Sequence, residues 1–218
     1  MSAIVWDAEG ERYYENGVDH GVLFTKTGDA GAYANGVPWN GLTSVSENPE
    51  GAEANDMYAD NIKYGSIRSA ETFGCTIEAY TYPPEFGVCD GSVEVAKGVT
   101  IGQQDRAAFG FSYRTKIGSD ASSEAGYKIH IVYNATASPS EKNYESVNDS
   151  PEGMTMSWEV ETTPVNVTNH KPTSKITIDS RTADPIKLKA LEDKLYGTAD
   201  TEPTLPTPDE IVTMFAAE

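Results

Sequence analysis

Residues 154–161 read MTMSWEVE, and apolar and polar side chains alternate along the whole stretch. From Met154 to Val160 every second residue is apolar, and the residues between them are threonine, serine and glutamate. A repeat of two is typical of a strand with one buried face and one solvated face. We therefore predict a β-strand here and place Trp158 in the protein core.

The same alternation recurs along much of the chain. It occupies residues 73–79, 109–113 and 127–133, and a shorter version occupies 176–178. The 12 tyrosines and 19 glycines fit many strands joined by turns. No helical periodicity precedes residue 184, apart from a turn near 83–86. We predict a mainly β protein whose body is an antiparallel β-sandwich or barrel.

The last part of the chain has a different pattern. Asp184 is a good helix cap, and Gly197 is suited to end a helix in a left-handed conformation. Three leucines lie between them at helical spacing: Leu188, Leu191 and Leu195. We predict one helix over 184–196 that packs on the sheets.

A second helical segment follows a linker. Residues 198–207 contain two prolines among small polar residues, which favours an extended conformation. Thr207 and Glu210 then have the spacing of a capping box. Three apolar residues share one face of the short helix that follows: Ile211, Met214 and Phe215. So short a helix needs packing to be stable, so we expect it to dock on its own body or on a neighbouring subunit. We divide the chain into a β-domain, 1–197, and a C-terminal arm, 198–218.

The charge of the chain excludes one class of function. There are 34 Asp and Glu against 16 Lys and Arg, a formal net charge of -18. Tight binding to nucleic acid needs cations that neutralise phosphates, so we do not expect it. Residues 1–7 contain neither a basic region nor a long apolar run, which predicts no secretory signal and no membrane anchor. We therefore expect a cytosol-like, reducing setting, in which Cys75 and Cys89 are free, buried thiols.

The sequence offers no catalytic, cofactor-binding or metal-binding candidates. The histidines His20, His130 and His170 are far apart and lack the spacing of metal ligands. We expect His130 on the solvated face of its strand. Glu159 and Glu161 could be interpreted as a catalytic acid and base pair. In so acidic a chain, the simpler interpretation is that both are solvent-exposed surface residues. We therefore expect that the protein is not an enzyme.

An acidic stretch between residues 43 and 62 needs another explanation. It contains five carboxylates and no Lys or Arg: Glu47, Glu50, Glu53, Asp56 and Asp60. Pro49 and Gly51 argue against helix or strand, so we predict a long early loop. Loops of this length are uncommon in compact domains and are often functional. The alternative is a disordered surface flap, because the stretch is charged and poor in apolar residues.

Six ordered segments of the chain resemble a known family, the major tail proteins, or tail tube proteins, of long-tailed non-contractile bacteriophages. The segments cover nearly the whole chain: 39–45; 51–53 with 58–64; 76–83; 102–106 leading to 109–115; 190–197; and 205–210. Pro84 departs from the family pattern, which has an acidic residue at this place in the turn.

The resemblance implies a subunit that forms hexameric rings, which stack into a tube with a continuous β-barrel around its bore. It implies that residues 45–61 bridge stacked rings, with these residues as contacts: Glu47, Glu50, Glu53, Asp56, Tyr58 and Asp60. Expected partners are other copies, the tape measure, tail terminator and distal tail proteins, and double-stranded DNA in passage. The protein would be assembled in the host cytoplasm and reside in the virion. Injection-tube proteins of bacterial secretion machines share this architecture.

Two other functional classes remain open at this stage. One is a glycan-binding β-sandwich of a phage fibre or secreted lectin, with Trp6, Trp39 and Trp158 as stacking candidates. The other, which has less support, is a secreted glycosidase. Electron microscopy distinguishes tubes or rings from monomers.

Overall fold

The computed structural model describes residues 3–27, 32–144, 146 and 153–216. The architecture is mainly antiparallel β, as the sequence predicts. Fourteen strands are present in the described residues: β1 (Tyr13–Thr25), β2 (Val37–Trp39), β3 (Leu42–Glu47), β4 (Glu50–Gly51), β5 (Ala54–Ala59), β6 (Ile62–Arg68), β7 (Glu71–Thr72), β8 (Gly74–Ala79), β9 (Val93–Ala96), β10 (Val99–Ile101), β11 (Phe109–Ser119), β12 (Gly126–Ala137), β13 (Met156–Thr162) and β14 (Lys175–Asp179). The helices are a 3-10 helix (Pro84–Val88), α1 (Pro185–Tyr196) and α2 (Pro208–Phe215).

One large sheet forms the body. Its order is β2-β1-β11-β12-β13-β8-β3, and β14 also pairs with β12. The two end strands, β2 and β3, are joined by Asn40 and Gly41 alone, so the sheet must roll up until its ends meet. Gly21 of β1 confirms this closeness, because a Cβ placed there would lie 2.3 Å from Cδ1 of Leu42 in β3. The body is therefore a rolled sheet with an inside and an outside.

Aromatic side chains fill the inside of the roll. Trp158 is fully buried, which confirms its prediction as core. Its ring lies edge-on to Trp39 and to Phe86, at centroid distances of 5.6 Å and 5.3 Å. Phe86 comes from the 3-10 helix, which forms where a turn was predicted. Edge-to-face aromatic packing of this kind adds stability beyond simple burial.

Helix α1 covers part of the outside of the roll. Asp184 caps it by accepting hydrogen bonds from the backbone N–H groups of Ile186 (2.8 Å) and Lys187 (3.2 Å). At its other end Gly197 has a φ of 75°. The three predicted leucines are buried against β1, β12 and β14: Leu188, Leu191 and Leu195. The predicted helix is confirmed.

The C-terminal arm packs on its own body. Leu205 of the extended linker and Ile211 of α2 are buried in the same cluster as α1. Met214 and Phe215 are partly buried against that cluster. The capping box is present: Thr207 and Glu210 each bind the other's backbone N–H. Fully burying a side chain such as Ile211 contributes about 1.5–3 kcal/mol, which a short helix needs.

The acidic stretch is not the loop that the sequence predicted. Most of it lies in β3, β4 and β5, and residues 48–73 form a long two-stranded ribbon that continues β3 and β8. The pairing is interrupted around Pro49, but Gly51 is itself paired with Glu71. Asp60 and Asn61 both have positive φ, 50° and 62°, and form a tight hairpin turn. This turn pair, between alternating residues, is the signal that sequence reasoning overlooked.

Two smaller expectations are also corrected. His130 does not face solvent; it is 6% exposed, because β14 packs beside β12 and Glu47 lies over it. The strand expected from Met154 begins at Met156. Cys75 and Cys89 are free and buried, as predicted.

Candidate assembly surfaces

The tip of the ribbon is a hairpin, β5 and β6, with two different faces. Residues paired directly across antiparallel strands share a face. Asn55 pairs with Ile67, Met57 with Gly65, and Ala59 with Ile62, and these pairs make one face. Its large side chains are exposed: Met57 by 41%, Ile62 by 66% and Ile67 by 58%. We call this the apolar face of the hairpin.

The opposite face of the hairpin is polar. Asp56 pairs with Ser66, Tyr58 with Lys63, and Ala54 with Arg68. Lys63 forms an ion pair with Asp56 at 2.8 Å. The hydrogen bond from Lys63, with a smaller one from Ser66, lowers the pKa of Asp56. The hairpin therefore has one apolar and one polar face, and most side chains on both faces are exposed.

The structure separates the six predicted bridging residues. Glu50 lies in β4, Glu53 follows it, and Asp60 lies in the turn. Asp56 and Tyr58 lie on the polar face of β5. All five are exposed. The sixth, Glu47, is the last residue of β3; it is also exposed, and its carboxylate belongs to a different cluster.

Strands β9 and β10 form a second exposed hairpin, which the sequence analysis did not predict. Val93 pairs with Ile101, and Val95 lies two residues along the same strand. Their exposed fractions are 40%, 42% and 57% respectively. The alternation of valines before Lys97 and Gly98 is the pattern that predicts such a hairpin. The described part of the protein thus presents two hairpins with exposed apolar side chains.

A four-stranded part of the sheet extends beyond the roll and has two free edges. It consists of the first half of β1, then β11, β12 and β14. Strand β2 pairs with β1 only at Gly21–Leu23, so Tyr13–Asp19 have no second strand partner within the described ranges. In the part of the chain that the structure describes, β14 pairs with β12 and with no other strand. Free edges expose unpaired N–H and C=O groups that can pair with another chain.

Ion pairs cross the face of this four-stranded part that lies opposite α1. Lys128 binds Glu15, and Arg181 binds Asp179 with a nitrogen to oxygen distance of 2.6 Å. The hydrogen bond from Lys128 lowers the pKa of Glu15, and that from Arg181 lowers the pKa of Asp179. The carboxylates of these two pairs are therefore neutralised locally.

Glu47 is held in a cluster at the base of the ribbon. The Tyr113 hydroxyl donates a hydrogen bond of 2.6 Å to its Oε1, and Lys175 forms an ion pair with the same oxygen. His130 stacks on the Tyr113 ring, with centroids 4.7 Å apart and an angle of 11°. Thr115 Oγ1 lies 2.9 Å from Nε2 of this histidine. The cluster thus joins β3, β11, β12 and β14.

Burial and hydrogen bonding together set the ionisation of the cluster. Burial, assisted by the nearby charge of Lys175, lowers the pKa of His130 to about 4, so its imidazole is neutral at pH 7. Burial alone would raise the pKa of Glu47, but hydrogen bonds from Lys175 and Tyr113 outweigh it, and the pKa is lowered. The result is one carboxylate paired with one ammonium beside a neutral ring.

The structure also locates the residues of the other functional classes. Trp39 and Trp158 are buried and cannot stack on a sugar, whereas Trp6 is 77% exposed. Glu159 is exposed on β13. Among the described residues, no group of three or more His, Cys, Asp or Glu could hold a metal ion. No helix in this part of the chain has the length and apolar character to cross a membrane.

Comparison with known proteins gives structural matches only. No family model matches the chain, and no curated protein does. One solved structure that it resembles is the sheath/tube terminator of an extracellular contractile injection system, PVC, in the extended state (9% identity, 81% of this chain and 99% of that chain, TM-score 0.34). Another is a chain of the anti-feeding prophage baseplate, with 7% identity over 80% of this chain and 97% of that chain and a TM-score of 0.36. A third is a chain of the PVC sheath-tube complex in the extended state, with 12% identity over 80% of this chain and 93% of that chain and a TM-score of 0.32. At these TM-scores no function follows for this chain.

Proposed function

We propose that the chain is a structural subunit of a phage-tail-like tube and that it carries no catalytic step. The observation that carries the proposal is the apolar face of the hairpin, which projects from a folded body with Met57, Ile62 and Ile67 exposed. An exposed apolar surface rimmed by polar residues marks a site of protein contact. A hairpin at the end of a ribbon is suited to reach a neighbouring copy.

The two free edges support assembly into rings. Neighbouring strands of the four-stranded part are antiparallel, so β1 and β14 run in opposite directions at its two sides. The β14 edge of one copy can therefore pair with the β1 edge of the next in an antiparallel manner. A head-to-tail contact of this kind forms a ring when the rotation closes. The number of six copies comes from the family resemblance.

The hairpin supports the stacking of rings. Strand β5 alone is about 20 Å long at the usual rise of a strand, so the hairpin is long enough to contact a neighbouring copy. We assign the bridging role to the apolar face of the hairpin. The carboxylates Glu50, Glu53 and Asp60 then keep the free protomer soluble.

The charge of the subunit supports a passive conduit for DNA. With a net charge of -18 per copy, the tube attracts no phosphates. Surface charges are screened over about 8 Å at physiological ionic strength, so the wall keeps DNA mobile and does not propel it. The proposed partners are further copies, the tape measure, tail terminator and distal tail proteins. The proposed location is the virion, after assembly in the host cytoplasm.

Substitutions on the two faces of the hairpin test the proposal. We expect the triple variant Met57→Ser, Ile62→Ser and Ile67→Ser to remain folded, because these side chains are exposed, but to lose stacked tubes in electron micrographs. The matched control is Asp56→Ser and Lys63→Ser, which removes an ion pair from the polar face and should still give tubes. Wild-type protein that remains monomeric at high concentration, or binds a glycan array, would refute the tube.

A further inference from the structure

Among the described residues, the ribbon and the free edge of β14 share no hydrogen-bonded ladder. The ribbon continues β3 and β8, whereas β14 pairs with β12. Lys175, the first residue of β14, lies at the ribbon base and connects the two. Its ammonium forms an ion pair with Glu47 at the end of β3 and lies 5.5 Å from the ring centroid of Phe73, just before β8. One side chain thus contacts both strands of the ribbon.

Buried rings fix the position of the Glu47 carboxylate. Tyr113 is 2% exposed, and its hydroxyl reaches Oε1 of Glu47 at 2.6 Å. His130 stacks beneath it and lies within hydrogen-bonding distance of Thr115 and Thr177, at 2.9 Å and 3.3 Å. Hydrogen bonds to a charged group are strong but short in range, so a small movement of the ribbon base breaks these contacts.

We propose that Glu47, Phe73 and Lys175 form a joint through which the direction of the ribbon and the order of the β14 edge are coupled. When the hairpin docks on a neighbouring copy, the base of the ribbon becomes fixed. Glu47 and Phe73 then hold Lys175 in place, which orders the β14 edge. That edge pairs with the next copy in the ring. This role rests on the proposed function, and it makes Glu47 a positioning residue and not a contact residue between rings.

Hydrogen exchange of the full-length free protomer tests the joint without requiring tubes. We expect Glu47→Gln to raise amide exchange about tenfold, as fits the loss of one charge-assisted interaction, both in residues 175–179 and at the ribbon base, 71–76. The matched control is Glu50→Gln, an exposed carboxylate three residues further on, which should change neither. An increase at only one of the two segments, or an equal increase in the control, overturns the proposal.

Two further variants distinguish loss of the joint from global destabilisation of the protein. Tyr113→Phe removes one hydroxyl and should give the same paired increase with little loss of melting temperature. Lys175→Met keeps an aliphatic side chain over Phe73 and should release the two segments as Glu47→Gln does. If either variant affects only its own strand, the joint does not exist.

Assembly is measured separately. We expect Glu47→Gln to raise the protein concentration needed for tubes, while Glu50→Gln leaves it unchanged. An equal concentration for Glu47→Gln and wild type refutes the coupling to assembly. Absence of tubes from wild-type protein refutes the proposed function instead, and the exchange result then still decides whether the joint is present.

Discussion

The hydroxyl of Tyr133, in the middle of β12, donates a hydrogen bond of 2.9 Å to the backbone carbonyl of Pro206, 73 residues further along the chain. This buried contact attaches the C-terminal arm to the sheet just before α2 begins. Burial raises the pKa of this tyrosine well above its usual range, so the hydroxyl remains a donor at any ordinary pH.

Removing that hydroxyl tests the attachment. We expect Tyr133→Phe to destabilise the protein by about 1–2 kcal/mol, because it leaves a buried carbonyl without its partner. For a chain of this length that lowers the melting temperature by about 2–8 °C. Tyr64→Phe, at a residue that is 77% exposed, is the control and should melt as wild type does. Equal melting temperatures would show that the arm is not held there.

The apolar face of α2 supplies the rest of the attachment. Ile211 is 4% exposed and its neighbour Val212 is 44% exposed. We expect Ile211→Ala to cost about 2–4 kcal/mol through lost burial and a cavity. Val212→Ala should cost under about 0.5 kcal/mol. Urea unfolding measures both; similar values for the two would mean that the arm is not docked on its own body in solution.

Closure of the rolled sheet depends on the absence of a side chain at Gly21. We expect Gly21→Ala to destabilise the protein by about 1–3 kcal/mol, because the added methyl group would overlap Leu42. Gly102→Ala adds a methyl group with nothing within 4 Å and should be nearly neutral. Chemical denaturation compares them. A neutral Gly21→Ala variant would contradict the contact between β1 and β3.

Acid should weaken the fold through His130. Its pKa is about 4 in the folded protein and 6.5 as the unperturbed value, so the unfolded chain takes up the proton first as the pH falls. The associated stability is complete above pH 6.5 and is lost between pH 6.5 and 4, on the order of 3 kcal/mol in total. Glu47, whose pKa is lowered, adds a further loss below its ordinary value of 4.5.

Unfolding free energies measured from pH 7 to pH 4 check this dependence. Other carboxylates contribute to acid denaturation, so the informative quantity is the difference between wild type and a histidine variant. We expect His130→Gln to flatten the curve between pH 6.5 and 4. Parallel curves for wild type and His130→Gln would contradict a neutral buried imidazole.

The sequence by itself determined the elements that depend on neighbours along the chain. Alternation gave the strand around Trp158, and the cap at Asp184, the three leucines and Gly197 gave α1 within one residue. The capping box at Thr207 gave the start of α2. These features are local, because a strand or helix face and a cap are set by spacing alone.

Only the tertiary structure decided the features that depend on distant segments. The turn at Asp60 and Asn61 is a local signal for the β5–β6 hairpin, but the continuation of that hairpin into a ribbon past Pro49 depends on the pairing of β4 with β7. The tertiary structure also buried His130, because β14 and Glu47 approach it from far along the sequence. Contacts between residues far apart in sequence follow from how the sheet rolls up, and no local pattern of residue types encodes that.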